Sequence, residues 1–137
     1  MTEAVSALVD TNVLLDIYTN DPDWAPWSIA QLEAAVLGGA VGINDIIYAE
    51  ISVRFSDVAT LDEAVERSQL RLLKMPRAAL FLAGKAFHRY RSVGGARTSI
   101  LPDFLIGAHA ALLGVPLLTR DTRRYRSHFP TLQLLTP

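Results

Sequence analysis

Four acidic residues stand where a carboxylate is costly unless it has a positive partner. Asp10 ends the apolar run 4–9, and Glu50 interrupts an otherwise apolar stretch, 46–55. Asp103 opens an apolar helical pattern, and Asp121 follows the apolar run 115–119. Asp103 and Asp121 are the only acids in residues 67–137, against twelve Lys and Arg. Isolated carboxylates on apolar faces are expensive to bury unpaired, and one divalent cation is the simplest partner for all four. Such a cation, held by oxygens, keeps several waters and takes further ligands from phosphates. The chemistry to expect is attack of an activated water on a phosphodiester, with a second ion recruited with the substrate stabilising the leaving oxygen. Without metal, four mutually repelling carboxylates should keep at least one proton. Glu50, longer than Asp and carried on a helix, is alternatively suited to take a proton from the attacking water instead of binding the ion.

Each acid taken alone has a plainer explanation. Asp10 suits a helix N-cap, and Asp103 suits a first helical turn. Glu50 is spaced to pair with Arg54 four residues on, and Asp121 suits a turn acid paired to Arg123 or Arg124. The coincidence of all four favours a shared site.

The elements that must position these groups follow from the apolar pattern. Residues 4–9 predict a buried first strand, and 12–19 a short helix entered through Asp10, Thr11 and Asn12. Helical spacing over 24–37 ends at Gly38 and Gly39. A short strand over 40–43 leads to the helix carrying Glu50, capped by Asn44 or Asp45. Thr60-x-x-Glu63 predicts a capping box for a helix running to Gln69. Residues 70–73 suit a short strand, Pro76 opens a long helix to Arg91, and 94–99 read as a flexible loop. A helix over 102–113 closes at Gly114, followed by a strand over 115–119 and an edge strand over 132–135. Apolar, non-alternating strands separated by helices indicate a parallel sheet covered on both faces. Active sites of such sheets lie at the carboxyl ends of the strands, which brings Asp10 and Asp121 to one end, with Glu50 and Asp103 near the starts of helices beside it.

The bulk composition narrows the class. A 137-residue chain that is 50% hydrophobic suits one domain with a sizeable core. It has no Cys, which excludes a disulfide framework, a thiolate zinc site and a Cys nucleophile. Neither a signal peptide nor an apolar run of membrane-spanning length is evident, so a cytoplasmic protein is expected. The net charge of −1 conceals an asymmetry. Residues 1–66 carry twelve acids and one Arg, whereas 67–137 balance at +10. Arg120, Arg123, Arg124 and Arg126, adjoining Asp121, resemble a phosphate-binding rim. A solvated or ion-paired surface is the alternative for the same run.

Val9-Asp10-Thr11-Asn12-Val13-Leu14-Leu15, Tyr48-Ala49-Glu50, Leu101-Pro102-Asp103-Phe104-Leu105-Ile106-Gly107-Ala108 and Leu118-Thr119-Arg120-Asp121 resemble the four acidic motifs of PIN-domain ribonucleases. The chain is most similar to the VapC-type toxins of bacterial toxin–antitoxin pairs, and the tail from Thr122 to Pro130 is similar to the stretch that follows the last acid in that group. The resemblance implies a single PIN domain over 1–137, an α/β/α sandwich with a central, mainly parallel sheet. It implies a magnesium-dependent endoribonuclease, with manganese as an alternative, in which Asp10, Glu50, Asp103 and Asp121 bind the metal and are catalytic. It implies that Asn12 and Thr119 orient those acids, as groups behind metal ligands do. It also implies an RNA substrate, a cognate antitoxin and a homodimer. Some relatives carry a further acid just past the last motif, where this chain has Arg123 and Arg124.

Other residues have plainer expectations. His88, His109 and His128 are not spaced as a metal set; His109 suits a hydrogen-bonded packing role, and His88 lies among basic residues that suit RNA contact. Trp24 and Trp27 suit packing on one helix face, or stacking on bases. Leu80, Phe81, Phe87 and Tyr90 suit core or a dimer surface. Two rival functions remain open at this level: a stand-alone RNA-processing nuclease, and a non-catalytic module that binds nucleic acid through its basic half.

Overall fold

The computed structural model describes residues 4–94 and 100–137. Its five strands, β1 (Ala7–Val9), β2 (Val41–Asn44), β3 (Leu70–Leu73), β4 (Leu117–Leu118) and β5 (Leu134–Leu135), form one sheet in the order β3-β2-β1-β4-β5. Every pair is parallel. Helices α1 (Thr11–Tyr18), α2 (Ala25–Gly38), α3 (Asp45–Ser52), α4 (Val58–Arg67), α5 (Arg77–Ser92), α6 (Leu101–Leu113) and the single turn α7 (Arg123–Arg126) flank it. The mainly parallel sheet expected from the non-alternating strands is in fact wholly parallel among the described residues.

The strand order explains where a site can form. From β1 the chain builds outward through β2 to β3, then returns to the other side of β1 for β4 and β5. The strand order therefore reverses between β1 and β4, and a crevice opens beyond the carboxyl ends of those two strands. Asp10 leaves β1 there, and Thr119 to Asp121 leave β4 there. The register Val9↔Leu118 puts these two exits side by side.

The main core gathers both faces of the strands with α1, α3 and α6, including Leu8, Val9, Leu14, Ile43, Ile47, Ile51, Ile106 and Leu118. A second cluster joins α5 to α6 through Ala83, Ala86, Phe104, Ala108 and Phe129. Phe87 and Tyr90 pack on Phe104 within it, whereas Leu80 and Phe81 on the same helix are exposed. Arg67 pairs with Glu63 one turn away at the surface.

Several boundaries differ from those the sequence pattern suggests, each for a local reason. α4 starts before Thr60, because the Asp57 side chain accepts from the Thr60 amide at 2.8 Å and is the cap; Thr60 is three residues inside the helix. Pro76 is itself the extended residue before α5 rather than part of its first turn. α3 ends at Ser52, so Arg54 lies beyond the helix and the one-turn spacing to Glu50 no longer places the pair together. β4 is shortened to two residues, although Asp10 N still donates to Leu118 O and Thr119 N to Leu135 O, continuing the ladder at its exit. α7 has no apolar period and was not foreseen. Of the expected loop at 94–99, all but Gly94 lies outside the described residues.

Gly107 and Gly114 mark two places on α6 where only glycine serves well. Gly114 closes the helix in the left-handed region at φ 69°. Gly107 lies under two aromatic rings: a Cβ there would come within 2.6 Å of the Phe129 ring and 3.1 Å of Tyr125. Overpacking costs about 1–3 kcal/mol, against the roughly 1 kcal/mol alanine gains over glycine within a helix. Gly107→Ala is therefore expected to lower the urea midpoint of unfolding; a raised midpoint would show that the rings give way freely.

Candidate active site

The first of the four acids is the most enclosed. Asp10 caps α1, its Oδ1 accepting the Thr11 amide at 2.8 Å. Its Oδ2 accepts from the Thr119 hydroxyl at 2.8 Å, the Tyr125 hydroxyl at 2.8 Å and, at 3.4 Å, the Asn12 amide. Oδ1 thus keeps a free lone pair. Burial pushes the Asp10 carboxyl up to about 6, although the Thr119, Tyr125 and Thr11 donors pull the other way; the Glu50 charge adds a smaller upward push. Desolvation rather than repulsion among acids is therefore the main reason this site would hold a proton.

Glu50 is bound to the same corner. Thr11 follows Asp10 directly, and its hydroxyl donates to Glu50 Oε1 at 2.6 Å. One residue thus holds Asp10 by its amide and Glu50 by its side chain. Asn12 and Thr119 form a bridge between the exits of β1 and β4. The Asn12 amide donates to Thr119 Oγ1 at 3.2 Å, and Asn12 Oδ1 accepts the Arg120 backbone N–H at 3.1 Å. Thr119 Oγ1 also accepts the Asp121 N–H at 3.0 Å, which fixes the start of the last acidic segment.

Asp103 and Asp121 share a cation supplied by the chain. Asp103 lies buried in the first turn of α6, and its Oδ2 accepts the Ile100 amide at 3.0 Å. Its Oδ1 faces Arg124 Nη1 at 3.3 Å. Arg124 Nε lies 2.7 Å from Asp121 Oδ2, and the Arg124 backbone N–H donates to Asp121 Oδ1 at 3.2 Å. Burial works against the Arg124 charge, but Asp103 and Asp121 outweigh it and hold the guanidinium above its ordinary value. The four acids thus fall into two linked pairs, Asp10 with Glu50 through Thr11, and Asp103 with Asp121 through Arg124. The adjacent Tyr125 joins the second pair to the first.

The donor set suits a hard divalent ion, because every candidate ligand is a carboxylate oxygen. As the side chains stand, no three acidic or imidazole groups among the described residues meet closely enough to hold one ion. The guanidinium between Asp103 and Asp121 marks where positive charge is needed. Beside it opens a polar cavity of about 420 Å³ lined by Asn12, Arg120, Asp121, Thr122, Arg123 and Arg124.

The four arginines of the basic segment have different surroundings. Arg123 and Arg126 are exposed. Arg124 is on the acids. Arg120 is clamped by Asp16, its Nε 2.6 Å from Oδ2 and its Nη2 2.9 Å from Oδ1, and the guanidinium lies 4.7 Å over the Trp24 ring. The Ser28 hydroxyl completes the buried Asp16 carboxylate at 2.8 Å. Trp24 meets Trp27 edge to face at 6.0 Å. His109, buried on α6, is hydrogen-bonded to Asn44 Nδ2 at 3.1 Å while Asn44 Oδ1 caps α3. Burial lowers its pKa, so it is neutral near pH 7.

Sequence reasoning missed three contributors. Asp16 interrupts an apolar helix as Glu50 does, and the same criterion would have found it. Tyr125 is the lone aromatic within Arg123–Arg126, an inward-facing position among outward-facing ones. Thr11 carried no signal apart from its place beside Asp10.

Residues 7–129 match the PIN domain family model, and the chain belongs to that family. Its fold is similar to VapBC2 from Rickettsia felis bound to a promoter DNA fragment, at TM-score 0.72 and 18% identity, covering 95% of this chain and 97% of that one. It is also similar to FitAcB from Neisseria gonorrhoeae, at TM-score 0.71 and 20% identity, covering 96% and 97%. A toxin–antitoxin complex from Klebsiella pneumoniae gives TM-score 0.66 and 24% identity, covering 96% and 98%. At these identities the likeness is one of fold. No curated protein matches the sequence significantly. No helix among the described residues is long and apolar enough to cross a membrane.

Two outcomes follow from this geometry. A folded-state pKa of about 6 for Asp10, above the ordinary 3.8, means the native state holds that proton more tightly than the unfolded chain. Its contribution is full below pH 3.8 and lost as pH rises through about 6. Above that the buried charge costs about 3 kcal/mol. In metal-free buffer, Asp10→Asn should therefore melt higher than wild type near neutrality and above, with the advantage fading on acidification; a pH-independent difference would contradict the assignment. Asp16→Ala strips the partner from Arg120 and Ser28. Because Arg120 is partly exposed, the loss should be about 2 kcal/mol rather than the larger penalty of a fully buried pair, read from denaturant unfolding.

Proposed function

We propose that this chain, as a single PIN domain, is a metal-dependent endoribonuclease and the toxin of a toxin–antitoxin pair. The observation that carries the reading is the two linked carboxylate pairs by the switch between β1 and β4, Asp10 with Glu50 through Thr11 and Asp103 with Asp121 through Arg124, next to a polar, arginine-lined cavity. Asp10, Asp103 and Asp121, with Glu50, would hold magnesium or manganese. When bound, the ion supplies charge neutralisation at the scissile phosphate and a more acidic water.

The chain's own groups prepare that chemistry. Thr119 and Tyr125 hold Oδ2 of Asp10, leaving Oδ1 with capacity for a ligand. Asn12 and Thr119 keep the exits of β1 and β4 in register, so Asp10 and Asp121 are held at a fixed separation. Where Glu50 does not bind the metal, its carboxylate, held by the Thr11 hydroxyl, would instead accept the proton of the attacking water. Arg123 and Arg126 meet the RNA backbone at the cavity rim, with Arg124 beside them, while Arg120 shapes that rim through its clamp on Asp16.

The partner assignment draws on similarity: a chain of the same fold sits in the Klebsiella pneumoniae toxin–antitoxin complex. Leu80 and Phe81, neighbours on α5 that are both exposed, offer an apolar surface that a second copy of the chain would cover, which supports a homodimer.

The test uses purified protein with host RNA, with and without magnesium or manganese. Discrete, metal-requiring cleavage is expected. Asp10→Asn and Asp103→Asn should lose more than the ~10–100-fold typical of disturbing a group behind a ligand. Cleavage that ignores metal or survives both substitutions would sink the nuclease assignment to these acids. RNA binding without cleavage, unchanged in Asp10→Asn, would instead mark a binding module.

A further inference from the structure

We propose that Arg124 is the site's resident counter-cation: a divalent ion enters only by displacing its guanidinium from Asp103 and Asp121, which frees Arg124 toward the polar cavity beside them. This rests on the reading that the acids take a metal.

The contacts are suited to exchange. Arg124 does not grip either acid through a parallel two-bond fork. It spends Nε on Asp121 at 2.7 Å and Nη1 on Asp103 at a long 3.3 Å. By contrast, Arg120 holds Asp16 bidentately at 2.6 and 2.9 Å. The Arg124 side chain is 46% exposed, whereas that of Asp103 is only 6% exposed. The guanidinium can therefore leave into water while the carboxylates stay.

The acids have their own anchors. Asp103 Oδ2 is held by the Ile100 amide, and Asp121 Oδ1 by the Arg124 backbone N–H, neither of which depends on the Arg124 side chain. Departure of the guanidinium thus frees one oxygen on each acid, Asp103 Oδ1 and Asp121 Oδ2, and these face the same vacated position. The cavity lined by Asn12, Arg120, Asp121, Thr122 and Arg123 adjoins it and already includes Arg124. A released Arg124 meets a phosphate there. Entry of a doubly charged ion expels a single charge, so the site's affinity for metal is set by a difference rather than by the number of its acids.

Arg123 provides the control. It carries the same charge one residue away, lies exposed, and lines the same cavity without a contact to either acid. The experiment titrates Mn²⁺ by calorimetry into wild type, Arg124→Gln and Arg123→Gln, and follows thermal melting in EDTA and in saturating Mn²⁺. Arg124→Gln should bind Mn²⁺ about fivefold more tightly, the upper scale of one exposed, partly screened ion-pair contact. Arg123→Gln should change affinity by less than about twofold, the residue of long-range charge alone. In EDTA, Arg124→Gln should melt below wild type, with the gap closing in Mn²⁺.

Equal or weaker Mn²⁺ binding by Arg124→Gln, or an equal gain in Arg123→Gln, overturns the proposal while leaving a metal-binding site intact. Folded wild type and Arg124→Gln that both fail to bind Mn²⁺ overturn the metal reading as well. Should Arg124→Gln not fold, Arg124→Lys, which keeps the charge but loses the spanning geometry, replaces it: tighter Mn²⁺ binding than wild type supports the proposal, and unchanged binding overturns it.

Discussion

A carboxylate buried at the end of a central strand must find donors, and Asp10 finds them on the elements that shape the site. Its two oxygens collect the first amide of α1, the hydroxyl at the exit of β4 and the phenol of α7. Loss of any one donor leaves a charge in a dry environment partly unanswered. The position of β4 beside β1, the path after Asp121 and the inward turn of Tyr125 are therefore coupled through one side chain. Packing supports the same arrangement from outside, since Tyr125 and Phe129 reach their places only over the bare backbone of Gly107.

The site is also stiff and compliant in different parts. The β1–β4 corner is laced by Asn12 and Thr119 through three interlocking hydrogen bonds of 3.0–3.2 Å among half-buried groups. The Asp103–Asp121 side is closed by a half-exposed arginine. Under the proposed function, ions and phosphate would enter on the compliant side, and that requires this division. The topology provides it: Asp10 leaves the middle strand of the sheet, and Asp121 lies in an outer loop.

Much of this was legible in the residues. Non-alternating apolar strands imply a parallel sheet, and the placement of Asp10 and Asp121 directly after two of them implies a common edge. Helix starts were readable at Asp10 and Asn44, where a side-chain cap decided them. They were misread at Thr60, where a better cap lay three residues earlier in Asp57. Residue types could not reveal that the arginines have separate roles, because Arg120 and Arg124 look alike until Asp16 and Asp103 are placed in space. Nor could they reveal Tyr125, whose contact with Asp10 spans 115 residues of chain.

The clamp on Arg120 gives the molecule a built-in optical signal. The chain contains two tryptophans, and both lie together at the start of α2, one of them under the Arg120 guanidinium. Any event that shifts the main chain between Thr119 and Asp121 alters the charge resting on the Trp24 indole. Intrinsic emission of the unlabelled protein therefore reports on the loop that carries the last acid through Trp24, against the background of its neighbour Trp27 alone.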